Sequence, residues 1–295
     1  MDHLPLIKGV AFFCFRKAGR FAIVKAMTTR EFAGYSIVRA LAGGGMTRLY
    51  VALDKQQNRV VIRCLTDEWA KRWGARKTFF HSAEVISQLN HPNIIKLIET
   101  GMEGRVPFMV IEFIESRTLR DLILYRDPLL TDNVLSLMRQ LAEALLFIHN
   151  RGYLHLDVKP ENILIRNDGH LVLIDFDLAV STKRFFKKIR QLPGTPSYIS
   201  PETLTTRIVD EKSDIYSFGV TAYEMLTYHK PFEGDKIEQV RAAQVDPAIP
   251  PTRPRQHNSA IPVAVENLIL KCLAKNPADR YPSMSLVIRD LEALI

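Results

Sequence analysis

His155-Leu156-Asp157-Val158-Lys159-Pro160-Glu161-Asn162 is the stretch that decides the fold, and Asp175-Phe176-Asp177 follows it beyond a strand. An acid, a lysine two residues on and an amide five residues on, with a second acid after the strand, form a set suited to phosphoryl transfer. The first acid can accept a hydroxyl proton and the lysine can neutralise a moving phosphate. The amide and the second acid can hold Mg²⁺ through hard oxygen ligands. Eight matched positions with a second motif in register leave little room for an ordinary loop between helices.

These motifs resemble the eukaryotic-type serine/threonine protein kinase family in its bacterial-like form, and the resemblance runs from about residue 35 to the C-terminus. Gly194-Thr195-Pro196-Ser197-Tyr198-Ile199-Ser200-Pro201-Glu202 is similar to the loop that ends the activation segment, with Ser200 for the usual alanine. Asp214, in Ser213-Asp214-Ile215-Tyr216-Ser217-Phe218-Gly219, matches the aspartate that opens a buried helix and anchors the catalytic-loop backbone. Arg280 matches the arginine that pairs with the glutamate at Glu202. The resemblance implies an α+β bilobal fold. A small antiparallel sheet with one helix is expected over residues 31–113, and a mainly helical lobe over 114–295, nucleotide lying near Glu112 to Ile114. It also implies ATP and Mg²⁺ as cofactors. Asp157 becomes general base and positioner, Lys159 the phosphate contact, and Asn162 and Asp175 the metal ligands. Lys159 together with Thr195 matches the serine/threonine pattern better than the tyrosine one.

Bulk properties agree with a globular chain. At 295 residues it can bury a sizeable core, and 47% hydrophobic with 24% charged residues is not a disordered composition. Cys14, Cys64 and Cys272 have no metal-type spacing and form no disulfide framework, which fits a reducing compartment and a cytoplasmic location. No apolar run approaches the ~18 residues of a spanning helix. The net charge is +8, but no nucleic-acid module signature accompanies it, so a protein substrate is expected and nucleic acid is not.

Residues 1–30 stand apart as a basic extension. Val10 to Phe15 is an apolar run between Lys8 and Arg16-Lys17, too short to span a bilayer and without a clean cleavage site. Residues 8–25 suit weak contact with an anionic membrane surface; equally, Met27 can be the start, since Met27 to Phe32 leads directly into the first strand. From Tyr35 to Leu65 two strands flank a glycine-rich turn and a third follows, with Val60-Val61-Ile62-Arg63-Cys64-Leu65 as its β-branched run. Periodicity predicts helices over 78–89, 132–149, 214–227, 235–243, 262–275 and 283–294, and a strand over 106–114. The stripe Val134, Leu137, Met138, Leu141, Leu145, Ile148 reads as core.

The nucleotide-binding half departs from the family. The resemblance assigns Leu41, Gly43, Gly44, Gly45, Leu49, Val61, Arg63, Glu112, Ile114 and Leu164 to nucleotide binding. The three positions where the family loop has glycines hold Ala42, Gly44 and Thr47, and only Gly43 and Gly45 restore backbone freedom near phosphate. Val61 adds bulk where alanine is usual. Arg63 replaces the strand lysine, a planar fork in place of a point charge. Ser82 falls where its glutamate partner is expected, and Glu84 lies about 200° round the helix from that position. Leu156 replaces the arginine that receives an activation-loop phosphate, and Asp177 replaces the glycine of Asp-Phe-Gly. The cationic run Lys183 to Arg190 suits either acidic partners or plain solvation, and Ser181 and Thr182 are candidate phosphorylation sites. The expectation is a weak serine/threonine kinase; the alternative is a pseudokinase scaffold.

Overall fold

The computed structural model describes residues 31–43, 45–182, 187–189, 192 and 194–295. They divide into two compact units, one up to Ser87 together with Ile95–Arg117, the other Gln88–Ile94 with Thr118–Ile295. The segment 1–30, with Cys14 and the basic stretch 8–25, lies outside the described residues, as does most of the cationic run 183–190.

The first unit is an antiparallel sheet with helices. Its strands β1 (Glu31–Phe32), β2 (Tyr35–Gly43), β3 (Thr47–Leu53), β4 (Arg59–Leu65), β5 (Leu97–Glu103) and β6 (Val106–Glu112) run in the order β1-β2-β3-β4-β6-β5. Helix α1 (Asp67–Ala70) and helix α2 (Trp73–Ser87) lie between β4 and β5 in the chain. Strand β4 is central and apolar on both faces. Val60, Ile62 and Cys64 pack with Tyr50, Ala52, Phe108 and Val110, while Leu65 packs with Met109 and with Phe79 and Ala83 of α2. That double burial is why its sequence reads as an apolar run broken only at Arg63 and not as an alternation. Helix α2 starts at Trp73, earlier than the expected 78; its first turn, with exposed Trp73 and Gly74 and only Ala75 against the core, shows no apolar stripe to mark it in the sequence. Strand β5 escaped the sequence reading for the same reason: it is an edge strand whose Ile98, Glu99, Thr100 and Met102 are exposed.

The second unit is mainly helical. After β7 (Ser116–Thr118) come α3 (Leu119–Leu124) and α4 (Pro128–Asn150). Asp127 caps α4 by accepting from Leu129 N at 2.9 Å, with Pro128 at the first helical position. The predicted stripe from Leu137 to Ile148 is fully buried. Strand β8 (Tyr153–Leu154) leads into the motif that decides the fold. Beyond it, β9 (Ile163–Arg166) and β10 (Leu171–Leu173) form an antiparallel hairpin with Leu173 opposite Ile163. Leu173 N donates to Asn93 O at 2.8 Å and Asn93 Nδ2 to Leu171 O at 2.8 Å, which fastens 88–94 to this unit. Short strand β11 (Val180–Ser181) pairs with β8, and β12 (Lys187–Lys188) pairs with β13 (Ile208–Val209). Helices α5 (Pro201–Thr206), α6 (Glu211–Thr227), α7 (Ile237–Val245), α8 (Pro254–His257), α9 (Val263–Cys272) and α10 (Met284–Glu292) complete it. Among the described residues, no helix is long and apolar enough to cross a membrane.

Two buried charges organise this unit. Arg280 is bidentate to Glu202 at 2.7 and 2.9 Å and donates to the carbonyls of Ala274 and Lys212 at 2.7 and 2.8 Å. Asp214, at the start of α6, accepts from His149 Nε2 at 2.9 Å and from the backbone N–H groups of His155 and Leu156 at 2.9 and 2.8 Å. Burial raises the Asp214 pKa, but the His149 bond and charge, the charge of His155 and the backbone donor outweigh it and the net shift is downward. Burial likewise raises Glu202, and Arg280 brings it below the usual carboxylate range.

Removing one partner of a buried pair strands the other. Arg280→Ala is therefore expected to cost about 3–5 kcal/mol in urea unfolding; a loss under ~1 kcal/mol refutes this role. The sign of the pH effect follows from the two depressed carboxyls. Their stabilisation is complete above the unfolded pKa values and is lost as pH falls through the folded ones, so the urea midpoint should decline between about pH 5 and pH 3. A flat midpoint over that range contradicts the assignment.

Candidate active site

The catalytic loop is a strained turn held from beneath. Leu156 has φ of 62°, a left-handed conformation that costs a non-glycine residue about 1–3 kcal/mol. The Asp214 carboxylate offsets that cost by satisfying the N–H groups of His155 and Leu156 together. The next residue, Asp157, is thereby presented with its backbone fixed, and its N–H reaches His155 Nδ1 at 3.2 Å.

Asp157 is buried, and its Oδ2 receives Lys159 Nζ at 2.7 Å and Asn162 Nδ2 at 2.8 Å. Asn162 Nδ2 also donates to the Asp157 carbonyl at 2.9 Å. Two of the predicted residues are thus tied to one carboxylate oxygen of a third. The other oxygen, Oδ1, faces Gly194, where an added Cβ would come within 2.6 Å. Gly194 also has φ of +70°, so both space and backbone demand glycine there.

Asp175 joins this group through the hairpin. Antiparallel pairing of β9 with β10 sets position 174 opposite position 162, and Ile174 N donates to Asn162 O at 2.9 Å. Asp175 has φ of 64° and Asp177 N approaches its Oδ1 at 3.3 Å. Phe176 is fully buried and meets the His155 ring edge-on at 4.8 Å, so packing couples the two motifs. The donor set fits a hard cation. Asn162 is fully buried, yet its Oδ1 makes no hydrogen bond among the described residues. A buried orphan amide oxygen near an aspartate suits Mg²⁺, which uses one or two protein carboxylates or amides and takes the rest from water and phosphate. No cluster of three or more His, Cys, Asp or Glu side chains suited to a metal occurs among the described residues.

Leu156 is apolar where the family pattern has a phosphate-receiving arginine. It is buried with Leu154 and Val209, and Leu178, Val180 and Ile189 pack against them. An apolar cluster therefore gathers Leu178 and Val180, just beyond Asp175, with Ile189 and Val209 around the position that is an arginine in the family pattern. The segment's far end is held by groups that sequence reading missed. Arg120 donates to Glu161 at 2.8 Å, to Glu224 at 2.5 Å and to Tyr198 at 2.7 Å. Burial, then the Glu224 charge, pushes the Tyr198 phenol well above its ordinary pKa. Gln244 Nε2 donates to the carbonyls of Pro196, Ser197 and Ile199 at 3.1–3.2 Å. The partners of Arg120 lie 41, 78 and 104 residues away, beyond the reach of any local pattern.

In the first unit, Arg63 lies on β4 opposite Leu49 and Met109, and its guanidinium is 5.8 Å from the Phe79 ring. Ser82 is fully buried on α2, one turn beyond Phe79, and its Oγ makes no hydrogen bond among the described residues. Glu84 is exposed, 3.9 Å from His81. Val61 is buried, Leu41, Leu49 and Ile114 are half-buried, and Glu112 Oε1 accepts from Lys96 N at 2.8 Å. Gly43 ends β2 opposite Arg48, and Gly45 is exposed with open space around a Cβ; Gly44 is outside the described residues. Leu164 is buried on β9 in the second unit.

Comparison with known proteins agrees with this geometry. The profile of the protein kinase domain matches residues 35–290. The chain is 34% identical over 263 residues to serine/threonine-protein kinase PknL of Mycobacterium tuberculosis, covering 88% of this chain and 65% of that protein. It is 32% identical over 261 residues to serine/threonine-protein kinase PrkC of Bacillus subtilis, covering 88% and 39%. With serine/threonine-protein kinase PknB of Mycobacterium leprae it shares 33% over 266 residues, covering 87% and 42%. It spans from about two fifths to just under two thirds of the length of these relatives. A profile match over most of the chain, on the residues that build the catalytic loop and its anchors, makes this chain a member of the protein kinase domain family.

Proposed function

We propose that the chain transfers the γ-phosphoryl group of ATP to serine or threonine hydroxyls of protein substrates, using Mg²⁺. The observation that carries this reading is the carboxylate of Asp157, with Lys159 and Asn162 on one oxygen and the approach of Gly194 at the other. The names of the relatives, each a serine/threonine-protein kinase, favour turnover over a pseudokinase scaffold. The buried thiols of Cys64 and Cys272, both unpaired, support a cytoplasmic setting.

In this mechanism Asp157 Oδ1 orients the acceptor hydroxyl and takes its proton, while Lys159 and Asn162 fix Oδ2. Lys159 adds positive charge where the phosphoryl group moves. Asn162 Oδ1 and Asp175 would hold Mg²⁺, which when bound spreads and neutralises charge on the phosphate oxygens. Arg63 is assigned the nucleotide phosphates. Leu41, the glycines 43–45, Leu49, Val61, Glu112, Ile114 and Leu164 are assigned the rest of the nucleotide. Loss of one electrostatic contact to reacting phosphates costs about 2.7–4 kcal/mol in barrier, so the Arg63 and Ser82 changes point to slow turnover.

Purified full chain with Mg²⁺-ATP and a serine/threonine peptide library tests this. Incorporation is expected, falling about 10²–10⁴-fold in Asp157→Asn; equal incorporation in that variant, or none in the unaltered protein with Mg²⁺ or Mn²⁺, defeats the reading. Ser82 shares the Phe79 face of α2, so Arg63→Lys with Ser82→Glu should raise kcat/KM beyond the product of the single changes. Ser82→Glu alone should lower stability, because a carboxylate buried beside the wider Arg63 fork, where the family pattern has lysine, is imperfectly paired. Independent effects of the two substitutions would dismiss the pairing.

A further inference from the structure

Away from the catalytic machinery, α2 begins in an open hollow of about 640 Å³ lined by Lys71, Trp73, Arg76, Lys77 and Phe80. Trp73 is 75% exposed and, with Phe80, gives the hollow an apolar face open to solvent. Lys77 Nζ stands 5.2 Å from its ring, and Arg76 reaches the sulfur of exposed Met102 at 3.8 Å. Among the described residues, no carboxylate lies within ion-pair distance of Lys71, Arg76 or Lys77; nearby Arg72 is neutralised by Glu68 at 2.7 Å. Helix α2 has no acidic residue in its first turn, so the positive end of its dipole adds to three cations instead of being compensated.

We infer that this hollow docks an acidic peptide segment of a protein partner. An aromatic or aliphatic side chain would seat against Trp73 and Phe80, with flanking carboxylates on Lys71, Arg76 and Lys77. Tryptophan and arginine are the residues that concentrate binding energy at protein interfaces, and charge complementarity sets the sign of the ligand. The chain's own N-terminal segment is a poor occupant, since residues 1–34 hold six Lys and Arg against two Asp and Glu. A second copy carries the same net +8. Nucleic acid would call for a basic stripe that tracks a backbone, whereas these cations ring one hollow.

The two tryptophans of the chain are Trp69 and Trp73, so Trp69→Phe leaves Trp73 as sole reporter. A short polyglutamate peptide with one central phenylalanine, titrated into that full-chain variant, is expected to shift Trp73 emission saturably. Anisotropy of the labelled peptide should show affinity about tenfold weaker or more in Lys71→Glu/Lys77→Glu and in Trp73→Ala. High salt should weaken binding as well. Both variants change exposed side chains, and an unchanged thermal midpoint would show that they fold. The inference falls if no saturable shift occurs, if the variants bind as well as the unaltered chain, or if oligothymidylate or anionic vesicles bind tighter than the peptide.

Discussion

The buried carboxylate of Asp214 is the interaction on which the rest of this protein depends. It takes three donors, two of them the backbone N–H groups of His155 and of the left-handed Leu156 itself, and so holds this turn in place. A carboxylate is the only side chain that can accept three bonds in one plane without offering a donor that clashes. Everything functional follows within a few residues. His155 packs on Phe176, Asp157 is presented, and Asn162 is reached through the turn Pro160–Asn162.

A second constraint is hairpin register. Asn162 and Asp175 are separated in sequence, and pairing between β9 and β10 erases that separation by setting 162 opposite 174. A slip of one residue would turn one of the two away, because side chains in a strand alternate faces. The strong apolar character of Ile163-Leu164-Ile165 and Leu171-Val172-Leu173, all buried, is what makes such a slip costly.

The residues assigned to nucleotide binding obey a different logic. Arg63 sits on a well-paired central strand with an aromatic ring beside it, and Ser82 occupies a buried helix position with an unsatisfied hydroxyl. The sheet is as well packed as its sequence suggests, so Arg63 and Ser82 stand within an intact scaffold. Leu156 is similar on the other side: replacing a charge receiver with an apolar side chain gives the activation segment a hydrophobic anchor. Such an anchor requires no modification to form.

Much of this was legible in the residues alone. The spacing of Asp157, Lys159 and Asn162, the β-branched run from Val60 to Leu65 and the stripe of α4 depend on short-range periodicity and on local chemistry, which a linear chain displays directly. Glu202 with Arg280 was legible through family resemblance, and bidentate geometry accounts for it. The start of α2 and strand β5 were not, because their apolar residues, among them the exposed Trp73, Ile98 and Met102, form no periodic buried face. Nor were Arg120, Gln244 and the steric need for Gly194, whose partners are distant in sequence. Local pattern sets which residues can do chemistry, whereas only packing decides which of them meet, since the energy of a buried hydrogen bond depends on neighbours that the order of residues does not name.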